Sequence, residues 1–185
     1  MPNLRDDTGF TLIEVLIAVS ILGVIVLALG AAFGVGVRGL DSTSNRLVSS
    51  NDAQFVSNYF PPDVQNASSG STSGISCSDA GTSNSKILLR WPVSDAGAAR
   101  TIVYWVKDTG RGTYELVRSA WDKPDCNGTP VQSTVVARNV AGASDADVEA
   151  DPVTDGFKIR VRTKPAATDS NQYEFTVTGK MRVPA

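Results

Sequence analysis

FTLIEVLIAVSILGVIVLALGAAFGVGV, residues 10–37, decides how this chain is organised. After Glu14 the next 23 residues, Val15 to Val37, hold no charge and no proline. At about 1.5 Å per residue that run spans roughly 35 Å as a helix, enough to cross a hydrocarbon core of about 30 Å. Before it stands a short polar head, MPNLRDDTG (1–9). After it the helical pattern continues with a polar face. Leu40, Leu47, Val48, Phe55, Val56, Tyr59 and Phe60 fall roughly on one side at a 3.6 period. Pro61-Pro62 is expected to end the helix, because proline has no amide donor and clashes with the preceding turn. A helix from Phe10 to Tyr59 would be roughly 75 Å long. No compact domain of this size buries both halves, so the first half must be buried in something else.

The whole chain has 185 residues, 42% apolar and 19% charged, with a net charge of -2. That is one ordinary domain with enough chain for a core. Near-neutral charge argues against a strongly electrostatic nucleic-acid binder. Histidine is absent, which removes the usual general base and most catalytic triads. Two cysteines cannot build a four-cysteine metal site. An enzyme is therefore not expected, and neither is a cofactor or a metal.

Asn66 to Ser85 is rich in Ser, Gly, Thr and Asn and reads as a loop. From Lys86 the period changes to two. Residues 86–91, 100–107, 113–121, 131–138, 157–163 and 172–178 read as strands. In FKIRVRT (157–163), Phe157, Ile159 and Val161 face one way and Lys158, Arg160 and Arg162 the other. Such strands suit an antiparallel sheet with one wet face. The amphipathic half of the helix is the candidate cover for the other face. The expected architecture is α+β: a long N-terminal helix packed by its second half on an antiparallel sheet. The expected divisions are a head at 1–9, an apolar helix at 10–37, an amphipathic helix at 38–62 and a β-rich domain at 63–185.

Gly9-Phe10-Thr11-Leu12-Ile13-Glu14 is the segment that speaks to function. A carboxylate inside a membrane helix costs up to about 2.5–3.5 kcal/mol on insertion scales, and such a charge usually has a partner. Nothing basic lies within the helix. A cut between Gly9 and Phe10 would create an α-ammonium about one turn from Glu14. The carboxylate could then pair with its own terminus or with that of a neighbour shifted along a bundle axis. A buried pair of that kind sets register more reliably than it adds stability.

GFTLIEVLIAVSIL strongly resembles the N-terminus of type IV prepilins and type II secretion pseudopilins, over residues 9–33. The resemblance implies a pilin-like fold. It implies cleavage after Gly9 by a membrane prepilin peptidase, N-methylation of Phe10, and a role for Glu14 in neutralising a neighbour's N-terminus. The stem would anchor the chain in the cytoplasmic membrane as a single pass, with the C-terminal domain outside the cytoplasm. It would then become filament core, with other pilin or pseudopilin subunits as partners. ILLRW, IVYWVKD and YELVRSAW look most similar to minor subunits of the J-like kind. The sequence departs from the family pattern in two places. Arg5 is offset by Asp6 and Asp7. The stem also lacks a mid-helix proline and carries Gly23, Gly30, Gly34, Gly36 and Gly39 instead. Both departures lean towards a minor or initiating subunit rather than the bulk one.

Plainer readings stand beside this one. The N-terminus could be a secretory signal cut near Ala28-Leu29-Gly30, or an anchor bearing a surface binding module or adhesin that does not assemble. The signal reading is strained by an apolar run longer than the usual 7–15 residues or so. Gly30 and Gly34 form a small-xxx-small pair that would let helices pack closely. Cys77 and Cys126 could close one disulfide outside the membrane, worth roughly 3–4 kcal/mol on chain entropy. Asp145, Asp147, Glu149, Asp151 and Asp155 offer oxygen ligands for calcium, with a solvated loop as the plainer alternative. Lys158, Arg160 and Arg162 could touch DNA phosphates, although a wet sheet face explains them more simply. Trp91, Trp105 and Trp121 fit packing in or on the sheet. Asn66-Ala67-Ser68 and Asn127-Gly128-Thr129 fit the glycosylation sequon.

Overall fold

Unbroken helical periodicity produces a single helix, α1 (Leu12–Asn66). A computed structural model describes residues 11–77, 84–91, 99–164 and 172–182, and the backbone alone of 35–45. The chain divides into two compact units, Met1–Ser44 and Asn45–Ala185.

In the first unit every described side chain of α1 is exposed, Leu12 at 83% and Phe33 at 75% among them. Leu12–Gly34 is long and apolar enough to cross a membrane, with a mean hydropathy of 2.9. Among the described residues of the unit nothing covers these side chains, and so extended an apolar surface favours lipid or other helices around it.

In the second unit an antiparallel sheet follows the helix. Its strands are β1 (Ser69–Ser71), β2 (Ser85–Trp91), β3 (Arg100–Asp108), β4 (Tyr114–Trp121), β5 (Gln132–Val140), β6 (Val148–Val153), β7 (Gly156–Thr163) and β8 (Tyr173–Lys180). The order is β1-β2-β3-β4-β5-β7-β6, and β8 pairs with β7. β5 touches β7 only at Val140↔Thr163. The alternation expected of FKIRVRT is present: Phe157, Ile159 and Val161 are buried while the residues between them are half-buried. Gly110 and Gly112, both at positive φ, turn β3 into β4. The expected α+β architecture is the one observed.

The inner core joins Val56, Phe60 and Val64 of α1 to Ile87, Leu89, Ile102, Leu116 and Ile159 of the sheet. Close approach depends on Gly179. A Cβ there would lie 2.6 Å from the Val64 Cβ, so any larger residue would push α1 off β8.

The structure corrects several expectations. The buried stripe of the second half of α1 is Ser49, Asp52, Val56, Phe60, Asp63 and Val64. Leu47, Val48 and Phe55 face outward at 66%, 37% and 44% exposure. The side chain of Leu40 lies outside the described residues. A 3.6 period fixes which residues share a face but not which face docks, and Ser49, Asp52 and Asp63 won the docking face through specific sheet partners. The helix also runs past Pro61-Pro62 to Asn66. Proline keeps a helical φ, and the carbonyls it deprives belong to Ser57 and Asn58, both exposed and open to water. Asn66 Nδ2 donates back to the Pro62 carbonyl at 2.9 Å.

The expected single wet face holds for β7 but fails for the central strands. Six consecutive residues of β3 are buried. Leu88, Val103, Trp105, Val117 and Trp121 form a second core on the outer face, roofed by Ile75, Cys77 and Cys126. The Ser-rich loop is thus a cover, and its start forms β1. β6 runs through the acidic stretch, which composition alone presents as loop.

Candidate assembly segment

Thr11 and Glu14 build the start of α1 from a reciprocal cap. Glu14 N–H donates to Thr11 Oγ1 at 3.4 Å. The Glu14 carboxylate in turn accepts Thr11 N–H and the Thr11 hydroxyl, each at 3.0 Å. The spacing is that of a capping box, in which two otherwise orphaned amides are satisfied. The sequence reading sought a partner for Glu14 only in a terminal amine, and so missed this local one. The T-x-x-E spacing was the available signal. Downstream, Ser20 Oγ bonds to the Leu16 carbonyl at 2.8 Å, which hides its hydroxyl from an apolar surround. A Cβ at Gly30 or Gly34 would meet nothing within 4 Å, so both glycines lie open on the stem surface. Gly9 and Phe10 lie outside the described residues.

A family model described as the prokaryotic N-terminal methylation motif matches residues 4–30. The chain carries a methylation motif at its N-terminus, in line with the resemblance to type IV prepilins and pseudopilins. That match runs from the polar head through the capping box to Gly30. No curated protein and no solved structure matches the chain.

The β-domain holds the other candidate residues in structural roles. Cys77 and Cys126 form a disulfide with a Cα–Cα distance of 5.1 Å. It pins the Ser-rich loop to the connection after β4, above Trp105 and Trp121. Trp105 Nε1 donates to Ser119 Oγ at 3.0 Å and Trp121 Nε1 to the Gly128 carbonyl at 2.7 Å. Trp91 Nε1 reaches the Asp63 carbonyl at 3.1 Å. All three indoles are therefore packing residues with a satisfied N–H.

The basic face of β7 is already neutralised. Arg160 pairs with Glu149 at 2.6 Å and Glu174 at 3.2 Å, Arg162 with Glu174 at 3.2 Å, and Lys158 with Asp151 at 3.1 Å. Four of the five acids in the run are spent as well: Glu149 and Asp151 on these contacts, Asp145 on Lys86 at 2.8 Å, and Asp147 on the Ser144 hydroxyl. Among the described residues no cluster of three candidate metal ligands forms.

Two buried polar contacts were not legible in the sequence. At the end of α1, the Asp63 carboxylate accepts Arg118 Nε at 2.6 Å, Arg118 Nη2 at 2.8 Å and the Tyr104 hydroxyl at 2.7 Å. Asp63 and Arg118 are 4% and 6% exposed, and the Arg118 guanidinium lies 5.4 Å from the Tyr59 ring centroid. Burial, reinforced by the Asp63 charge, pushes the Tyr104 hydroxyl well above its usual value. Earlier in the helix, Asp52 accepts the Arg138 N–H at 3.0 Å and Ser49 meets the Thr163 hydroxyl at 3.1 Å. Burial raises Asp52 to about 6 against the opposing pull of Arg138. Sequence spacing showed none of these pairings, because they join residues 41 to 114 positions apart in the chain.

Proposed function

We propose that this chain is a structural subunit of a type IV pilus or a type II secretion pseudopilus, and not an enzyme. The observation that carries the reading is the coincidence of the methylation motif at 4–30 with a wholly exposed apolar helix over Leu12–Gly34. Cleavage after Gly9 and methylation of Phe10 by a prepilin peptidase and methylase produce the mature subunit. The stem holds it in the cytoplasmic membrane, with the β-domain outside. A disulfide in that domain agrees with an oxidising compartment.

Assembly moves the stem from lipid into a bundle of like helices from other subunits. Thr11 shelters the Glu14 carboxylate while the stem is in lipid. A carboxylate retains free lone-pair directions after accepting two hydrogen bonds. Glu14 therefore still answers the ammonium of a neighbour and fixes axial register. Gly30 and Gly34 let stems approach closely. The glycine-rich, proline-free stem and the weakly charged head favour a minor subunit over the bulk one.

The mass of the mature N-terminal peptide tests the first step, with methylated Phe10 expected at its start. A start at Met1 or near Ala31 defeats the reading and favours an anchored or secreted binding module. For the second step, Glu14→Ala is expected to leave processing intact and abolish incorporation. Filaments that incorporate the variant at the wild-type level would refute it.

A further inference from the structure

An open strand edge invites pairing, and most edges in this sheet are blunted. β1 is three residues long, β6 carries Pro152, and on β5 the outward amide of Arg138 is taken by Asp52. β8 has none of these devices. It pairs with β7 without a break from Thr163↔Tyr173 to Gly156↔Lys180, with no bulge and no proline.

The direction of its free groups follows from neighbouring bonds. Met181 N–H donates to the Asp155 carbonyl at 2.7 Å, so residue 181 turns its backbone towards the β7 side. Arg162 turns its own N–H and carbonyl the other way, to Asp147 and Ala141, which leaves Thr163 facing β8. Alternation along an antiparallel ladder then points the N–H and C=O of Glu174, Thr176, Thr178 and Lys180 away from β7. Among the described residues nothing meets them. On the inner face Tyr173, Phe175 and Val177 form a half-buried row, of which Phe175 and Val177 pack against the margin of the core. Glu174 is held by Arg160 and Arg162, whereas Lys180 has no ionic partner among the described residues.

We propose that the β8 edge is an interaction surface that takes an extended strand of another protein. The strand alternates apolar residues that complete the row of Tyr173, Phe175 and Val177, and it carries a carboxylate that meets Lys180. Main-chain hydrogen bonds supply the affinity and the alternate side chains the selectivity. The inference stands independently of the assembly reading.

The test uses the full chain in detergent micelles and a synthetic peptide that alternates Val with Thr and ends in Asp. Bound peptide is expected to slow amide exchange at Glu174, Thr176, Thr178 and Lys180 by about tenfold or more. Thr176→Pro removes one outward N–H and no bond to β7, so it should abolish the effect. Lys180→Glu keeps the test decisive if that variant does not fold. It should weaken the Asp peptide about tenfold and favour a Lys-ended one. Unslowed exchange at all four positions overturns the proposal, as does equal protection in the variants. Protection that rises with chain concentration and no peptide also overturns it, because the occupant would then be a second copy.

Discussion

Asp52 is a buried acid that the fold holds against its preference. Its folded value of about 6 stands above the 3.8 of an unperturbed carboxyl. Between those values the folded chain binds more protons than the unfolded one, so stability falls as pH rises from about 4 through about 6. Asp52→Asn keeps an acceptor for the Arg138 amide and removes the charge. It is expected to raise the melting temperature at pH 7.5 by about 2–4 °C and to flatten the profile between pH 4 and 7, as thermal denaturation across that range will show. The Asp63 carboxylate is paired with the Arg118 guanidinium. Arg118→Met leaves the carboxylate buried with only the Tyr104 hydroxyl, at an expected cost of about 3–5 kcal/mol in urea unfolding. Asp63→Leu combined with Arg118→Met should recover most of that loss, since the pair must repay its own desolvation.

Elements were legible where period and length agree. The stem, the two-residue alternation of β7 and the antiparallel sheet all follow from which residues can avoid water. β6 was not legible, because Asp151 and Pro152 hide a strand whose charges are answered by Lys158 and Arg160 of β7. The docking face of α1 was misread because Ser49 and Asp52 look like solvent residues until Thr163 and Arg138 are known to face them. Contacts between elements give their own predictions. Gly179→Ala should cost about 1–3 kcal/mol, since the new methyl needs the space of Val64. Cys77→Ser should lower stability by about 2–4 kcal/mol and shift tryptophan emission to the red under native conditions, because the roof over Trp105 and Trp121 loosens.

At the scale of the whole molecule, the apolar stem was legible in the sequence as an uncharged run of spanning length beside a carboxylate. Only its local cap escaped, because a partner three residues away was not sought. The stability of the β-domain was less legible, since it rests on pairs far apart in the chain. Those pairs fasten α1 unevenly. Ser49 and Asp52 hold its near end through a hydroxyl contact and one amide, whereas Val56, Phe60, Val64 and Asp63 hold its far end through apolar packing and a bidentate guanidinium. Tension drawn along the helix from its amino end meets the weaker seam first. Single-molecule pulling should therefore record a small early yield before the main rupture, and Asp52→Ala should erase it. The domain would give a little under load and then hold, as a shock absorber does.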